Sequence, residues 1–171
     1  MSAAIEWERS WYPNQQLKQE TPIENGVAQG RESTWFNDGA IHTTVDFHNG
    51  RKHGIEKEYF PNGQLRLELP YENGRFSGAW RIYFENGQLQ KETHYESGIQ
   101  DGCQRIFLMD GTCVSEENWV HGTGVDRTYD HIGNLRIETN YVSGWKDGTH
   151  REWNEHGELV RDWQYSKGWR R

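Results

Sequence analysis

A chain of 171 residues with a net charge of −7 has the length of one domain and lacks the basic surface that nucleic acid or an anionic membrane would need. Leu, Ile, Val and Phe are sparse, too few for a large core. Aromatic residues, however, make up 13% of the chain, which a disordered protein would not have. We therefore expect a folded protein with a small core and a sheet that has two exposed faces.

The first residues, the lack of a long apolar run and the cysteines predict a reduced, cytoplasmic protein. The first residues lack the charged start and apolar run of a signal peptide, and no apolar run reaches the length of a membrane span. Cys103 and Cys113 would lie about five residue pairs apart on neighbouring strands, too far for a disulfide bond.

A hairpin pattern recurs along the chain at a constant interval, which is shorter by two positions only between Gly111 and Gly133. Asn-Gly between short runs of aromatic and alternating residues predicts a two-residue type I′ turn in each hairpin. A second glycine pair, such as Gly74 and Gly78, predicts a wider turn that joins one hairpin to the next. Gln15 stands at the first turn position, and the predicted structural turn glycines follow at Gly39, Gly63, Gly87, Gly111, Gly133 and Gly157.

The two arms of each hairpin carry charges that predict the strand register. If Asn-Gly forms a two-residue loop, a basic residue before the turn faces an acidic residue after it, except in the second hairpin, where Ser33 faces Thr44. Because a one-residue slip would move every side chain to the other face, these pairs would fix the register. The same arithmetic places Phe36 beside Ile41. The predicted pairs are Arg9 with Glu20, Lys57 with Glu68, Arg81 with Glu92, Arg105 with Glu116, Arg127 with Glu138, and Arg151 with Asp162.

The pattern Tyr-Phe-x-Asn-Gly-Gln-Leu-x-x-Glu-x-x-Tyr-x-x-Gly-x-x-x-Gly resembles the bacterial variant of the MORN repeat, found in proteins often labelled YwqK-family antitoxins. The resemblance is clearest over residues 59–78 and 83–102. It implies an all-β fold: an elongated, single-layer antiparallel β-meander of about seven repeated hairpins that holds another macromolecule. One domain would span residues 1–171, with units at about 7–30, 31–54, 55–78, 79–102, 103–124, 125–148 and 149–171.

Catalytic and metal-binding patterns are not evident in the sequence. The eight His residues occupy different repeat positions without ligand spacing, so we expect them on the surface. The repeated Glu residues face basic partners, which disfavours a general base, and no phosphate-binding glycine loop is present. The sequence thus predicts a protein that is not an enzyme and needs no metal or cofactor.

Aromatic residues are the candidate protein-binding residues. Those at the repeated position before the turn, among them Trp35, Tyr59 and Tyr83, either stack between hairpins or form a binding platform. Other large aromatics stand where most units have a small or polar residue, so the scaffold does not require them and they are candidate anchors. These anchors are Phe76, Trp80, Trp145, Trp163 and Trp169.

The leading functional hypothesis is a non-catalytic protein-binding scaffold, most concretely an antitoxin or immunity protein. It would cover the active surface of a cognate basic toxin, with charge complementarity speeding capture. One alternative is a lipid- or membrane-associating MORN module, although the only basic cluster is residues 167–171 and we expect no membrane binding. The other is a self-assembling structural protein, a homo-oligomer formed through open sheet edges.

Overall fold

The computed structural model describes residues 4–170, in which every regular element is a β-strand and tight turns join the strands. The chain divides into two compact units, one up to Gly87 and one from Gln88 onward. The all-β meander of hairpins that the sequence predicts is confirmed.

The first unit contains ten strands in an antiparallel meander. Its long strands are hydrogen-bonded in the order β1-β2-β4-β5-β7-β8-β10, and the two-residue strands β3, β6 and β9 pair with β2, β5 and β8. The strands are β1 (Glu6–Trp11), β2 (Leu17–Glu24), β3 (Val27–Ala28), β4 (Gly30–Trp35), β5 (Ile41–His48), β6 (Arg51–Lys52), β7 (Gly54–Tyr59), β8 (Leu65–Glu72), β9 (Arg75–Phe76) and β10 (Gly78–Tyr83).

The second unit contains eight strands, and its strand pairing is interrupted once. β11, β12 and β13 are neighbours in one sheet, whereas β14 to β18 form a separate five-stranded sheet in chain order. The interruption falls at the end of the repeat unit that is two residues shorter than the others. The strands are β11 (Leu89–Glu96), β12 (Ile99–Phe107), β13 (Cys113–Trp119), β14 (Gly124–Tyr129), β15 (Leu135–Val142), β16 (Trp145–Trp153), β17 (Leu159–Ser166) and β18 (Trp169–Arg170).

The first turn of each hairpin is not the two-residue type I′ turn that Asn-Gly predicts. In the second hairpin, Phe36 N donates to Ala40 O at 2.8 Å and Gly39 N donates to Phe36 O at 3.0 Å, closing a three-residue loop. Gly39 has a φ of 91°, as in a type I turn followed by a left-handed residue with a G1 bulge. Gln15 adopts the same left-handed conformation in the first hairpin, with a φ of 66°.

Type I′ turns occur instead at the glycine pairs that join successive hairpins, where the sequence predicts wider turns. Asn73 and Gly74 have φ values of 51° and 81°, so both central residues are left-handed. Backbone hydrogen bonds connect these turns to the preceding connection, as when Gly74 N donates to Lys52 O at 2.8 Å. In the second unit Gly168 N donates to Lys146 O at the same distance.

A bulge on the second arm restores the register that the longer loop would otherwise shift. Trp35 lies opposite Ile41 while Thr34 lies opposite Thr43, so one residue of β5 is unpaired. Pairs farther from the turn therefore keep the predicted alignment. Next to the turn the prediction is wrong by one residue, because Trp35 rather than Phe36 faces Ile41.

The two faces of the sheets differ in burial. We call the face that carries the cross-strand charged pairs the ladder face, and the opposite one the packed face. Strand alternation places nearly all buried side chains, Pro22 excepted, on the packed face. The buried side chains of the packed face are Thr21, Val45, Thr93, Gln104, Ser115, Trp119, Thr139 and His150.

Candidate functional site

The ladder face is built from ion pairs that continue from one hairpin to the next. Glu68 lies opposite Lys57 in its own hairpin and opposite Arg81 on the following strand, with N–O distances of 3.6 and 3.8 Å. Arg105 lies 3.7 Å from Glu92 and 3.1 Å from Glu116. Because these carboxylates already face cations, they are poorly placed to act as general bases.

The other predicted pairs within one unit also lie opposite each other. The observed strand register is the one that the charge pattern predicts, and it also brings the neutral pair Ser33 and Thr44 opposite each other. The pair Arg81 and Glu92 straddles the two units and stays a prediction. The remaining matched pairs are Arg9 with Glu20, Arg127 with Glu138, and Arg151 with Asp162.

The repeated aromatics Trp35, Tyr59 and Tyr83 are half-buried on the ladder face. Tyr83 Oη donates to a Glu68 carboxylate oxygen at 2.9 Å. The backbone carbonyl of Trp35 accepts a hydrogen bond from Tyr12 Oη at 2.8 Å. Both bonds join neighbouring hairpins, so this position contributes to the scaffold, and a binding role for it stays a prediction.

Phe76 and Trp80 form an aromatic cluster with Tyr71 in the first unit. The Phe76 ring centroid lies 4.8 Å from that of Tyr71 and 6.4 Å from that of Trp80, to which it is almost parallel. Lys52 Nζ lies 5.1 Å from the Tyr71 ring centroid and 2.7 Å from Glu56. Burial, and after it the charge of Glu56, raise the pKa of the Tyr71 hydroxyl. Two of the predicted anchors are thus brought together.

Trp163 lies among cations in the second unit. Arg170 Cζ is 4.3 Å and Arg161 Cζ is 5.5 Å from its ring centroid, distances at which a cation is attracted to the face of an indole ring. The His150 ring stacks on Trp163 with centroids 5.5 Å apart. This predicted anchor is therefore half-enclosed by its own chain.

His150 is not at the surface, contrary to the expectation for the histidines, since only 6% of it is exposed. Its Nδ1 lies 2.8 Å from Thr139 Oγ1 and its Nε2 lies 3.1 Å from Glu152 Oε1. This hydroxyl–imidazole–carboxylate order is that of an activated nucleophile, but Thr139 is 5% exposed and out of a substrate's reach. The hydrogen bond from His150, together with Arg161, lowers the pKa of the Glu152 carboxyl.

Trp145 and Trp169 are the most exposed of the predicted anchors, at 63% and 80%. Each directly follows a type I′ turn, and they occupy the same position of two successive hairpins. The Trp145 ring lies over Gly168, where an added Cβ would come within 3.2 Å of it. We call these two residues the tryptophan pair.

Polar side chains bridge the interruption between β13 and β14. Asp126 Oδ1 accepts hydrogen bonds from Lys91 Nζ at 2.9 Å and from Gln104 Nε2 at 3.0 Å. Gln104 is 1% exposed, and its Oε1 accepts from Gln100 Nε2 at 2.7 Å. Burial and then the charge of Asp126 raise the pKa of Tyr95. These side chains join β14 to β11 and β12 where its pairing with β13 is missing, beside the backbone hydrogen bonds that Gly122 makes with Gln100 and Gly144.

Trp119 closes the same gap from the packed face. It is 3% exposed, and its ring centroid lies 5.6 Å from that of Tyr141. Gly124 provides the space for the indole, because an added Cβ there would stand 2.5 Å from the ring. The gap is therefore filled by a side chain.

Residues 4–170 contain neither a cluster of metal-ligating side chains nor a helix that could span a membrane. No three His, Cys, Asp or Glu side chains of that range are grouped so that they could hold a metal ion. None of its elements is a helix long and apolar enough to cross a bilayer. Cys103 and Cys113 are free thiols, and burial raises the pKa of Cys103, which disfavours a reactive thiolate.

Comparison with known proteins identifies the repeat. Residues 52–73 and 77–97 match the family described as MORN repeat variant. These two stretches are MORN-type repeats. No curated protein matches it. MORN repeats are typically a non-catalytic scaffold, which agrees with the paired carboxylates of the ladder face.

In the first unit, the predicted binding residues lie on both faces of the hairpins. Strand alternation places Trp35 on the ladder face and Trp80 on the packed face, and the tryptophan pair lies beside the type I′ turns. Sequence reasoning missed Asp126 and Trp119. The shortened interval between Gly111 and Gly133 was the one signal that could have drawn attention to them.

Proposed function

We propose that this MORN module is a non-catalytic scaffold that binds a protein, and that this protein is a cognate toxin whose active surface the module covers. The observation that carries the proposal is the tryptophan pair. Trp145 and Trp169 present large indole surfaces to solvent at equivalent positions of successive hairpins. Trp is among the residue types that dominate binding energy in protein interfaces.

The surroundings of the tryptophan pair suit a protein partner. Val142 lies on the strand before Trp145 and is 47% exposed, and Arg170 follows Trp169 and stacks on Trp163. Apolar side chains beside an Arg that is already ordered match the composition of an interface core. A rigid type I′ turn before each Trp limits the entropy lost on binding.

The toxin assignment rests on charge and on the kind of inhibition that a scaffold can provide. Blocking a toxin by occlusion needs surface area and no catalytic group. The net charge of −7 would attract a basic toxin over long range and raise the rate of encounter, an effect that weakens with added salt. At the tryptophan pair itself, which lies beside the basic residues Lys167 and Arg170, the contact would be apolar. We accordingly propose a basic toxin as the partner, with the module acting as an antitoxin or immunity protein.

Co-purification with the products of neighbouring genes tests this proposal. The tagged full chain should retain one of these products and relieve its toxicity when both are expressed together. Replacing Trp145 and Trp169 with Ala should weaken the complex by about thirtyfold or more, the loss typical of a hot spot. Ile132→Ala is the matched control, since Ile132 is 66% exposed in a turn of the same unit.

Two results would contradict the proposal in different ways. If no neighbouring product is bound or neutralised, the antitoxin role is wrong. If a product is bound equally well by the double Trp variant, the antitoxin role stands and the tryptophan pair is not its binding surface.

A further inference from the structure

Within residues 4–170, no strand pairs with the outer side of β1 or with the outer side of the first part of β17. All six residues of β1 are exposed, and so are the first four residues of β17. β18 covers only the far end of β17, through Tyr165 and Ser166. In the first unit β3 covers the end of β2 in the same way, and β4 pairs with the remainder of β2. The equivalent part of β17 has no strand paired with it on that side within the described residues.

We propose that copies of this chain associate head to tail, with β1 of one copy pairing with β17 of the next. β1 is the first arm of its hairpin, and β17 is the second arm of its hairpin. Within each unit, neighbouring hairpins pair in this same way, through the second arm of one hairpin and the first arm of the next. The register follows from two internal examples, Glu68 opposite Arg81 and Glu138 opposite Arg151. In that register Arg9 of one copy stands opposite Asp162 of the next.

The charges on the two uncovered strands, β1 and β17, complement each other. Inside the ladder, Glu138 has two basic neighbours, Arg127 at 2.9 Å and Arg151 at 3.9 Å. On β1 and β17, within residues 4–170, Arg9 has one acidic partner, Glu20, and Asp162 has one basic partner. β1 therefore presents a cation and β17 an anion, and pairing them would continue the alternation across the junction.

The packed face gives a second complementary pair in the same register. Gln19 Nε2 donates to Glu32 Oε2 at 3.0 Å, joining β2 to the following first arm. At the junction Arg161 takes the place of Gln19, and Glu8 of the next copy takes the place of Glu32. Glu8 is exposed and has no ion-pair partner within the described residues. Arg161, which also pairs with Glu152 within its own copy, would thus meet an acidic side chain of the next copy.

Such an interface is heterologous, because the two copies contribute different surfaces. Each added copy presents a new open edge, so association continues until a ring closes or the chain is limited by concentration. This inference does not depend on the proposed toxin, because it uses the strand edges and needs no second protein.

Sedimentation velocity of the full chain over a wide concentration range tests the inference. The mass should rise from the 20.2 kDa of one copy towards multiples of it. Arg9→Glu and Asp162→Arg should each weaken association by about threefold to tenfold, because each places like charges opposite each other. Mixing the two variants should restore association, since every junction between them again joins opposite charges. A chain carrying both changes should also associate with itself.

Arg31→Glu is the matched control. Arg31 pairs with Asp46 at 2.9 Å across one hairpin, on an exposed part of the sheet away from both edges, so its reversal should leave association unchanged. Circular dichroism would verify that each variant keeps its β structure. A single copy at all concentrations would overturn the inference. So would association that Asp162→Arg leaves intact, or mixed variants that do not recover it.

Discussion

Replacing Trp119 with Ala should destabilise the protein by about 3 kcal/mol, because the indole fills the gap between β13 and β14. A buried Trp removes about 150–250 Å² from water, which at about 25 cal/mol per Å² corresponds to about 4–6 kcal/mol. The indole N–H is buried without a hydrogen-bond partner among the described residues, a cost of about 1–3 kcal/mol that the substitution removes. The balance lies at the lower end of losses measured for Trp→Ala in cores.

Urea unfolding followed by circular dichroism measures this loss. Trp169→Ala is the control, since Trp169 is 80% exposed and its removal should change the free energy of unfolding by less than about 0.5 kcal/mol. A loss below about 1 kcal/mol for Trp119→Ala, with an unchanged denaturant slope, would refute the argument. It would mean that Lys91, Gln104 and Asp126 hold the gap closed without the ring.

Further changes test the turns and the ionisable groups. Gln15→Gly should raise the free energy of unfolding in urea by about 0.5–1 kcal/mol, because it relieves a left-handed φ. Gly63→Ala should lower the free energy of unfolding by about 1–2 kcal/mol, because it places a side chain at a left-handed φ. Equal effects at the two sites would contradict this reasoning. The lowered pKa of Glu152 contributes stability that is present above its unfolded pKa and lost as pH falls through its folded pKa. Glu152→Gln should therefore flatten the acid limb of a Tm-against-pH curve, and an unchanged limb would contradict this. Glu56→Gln should lower the pKa of Tyr71 in an ultraviolet titration but leave it above its ordinary value, because burial is the larger cause, and no change would exclude that contact.

The strand register could be predicted because residues of opposite charge face each other across the hairpins. The turn types could not be predicted. Asn62-Gly63 and Asn73-Gly74 are the same dipeptide in two different turns. At the first, Asn62 Oδ1 accepts a hydrogen bond from Gln64 N at 2.9 Å and only the glycine is left-handed. The bulge on the following arm then cancels the extra loop residue. Pairs such as Lys57 and Glu68 are consequently the same for either turn, and the charge pattern does not distinguish them.

The side-chain contacts around the shortened repeat unit could not be predicted for a different reason. Lys91 and Asp126 are 35 residues apart and occupy different positions of the repeat, so no periodicity links them. Trp119 stands at a position where four other repeat units have Tyr. Nothing in its spacing indicates that the ring packs on Gly124, the first residue of the next strand. An interrupted pattern indicates where a repeat changes, while the side chains that compensate depend on three-dimensional packing.

The hydrogen bonds between successive type I′ turns have a consequence for how such proteins can vary. Gly74 N and Lys52 O are main-chain atoms, so this connection is independent of side-chain identity. The three-residue loops at the opposite margin are connected through side chains, as when Asn14 Nδ2 donates to Asn37 O at 2.9 Å. Insertions and new recognition sequences should accordingly accumulate at the loop margin. At the turn margin, whole hairpins can be gained or lost while the spacing between them is preserved.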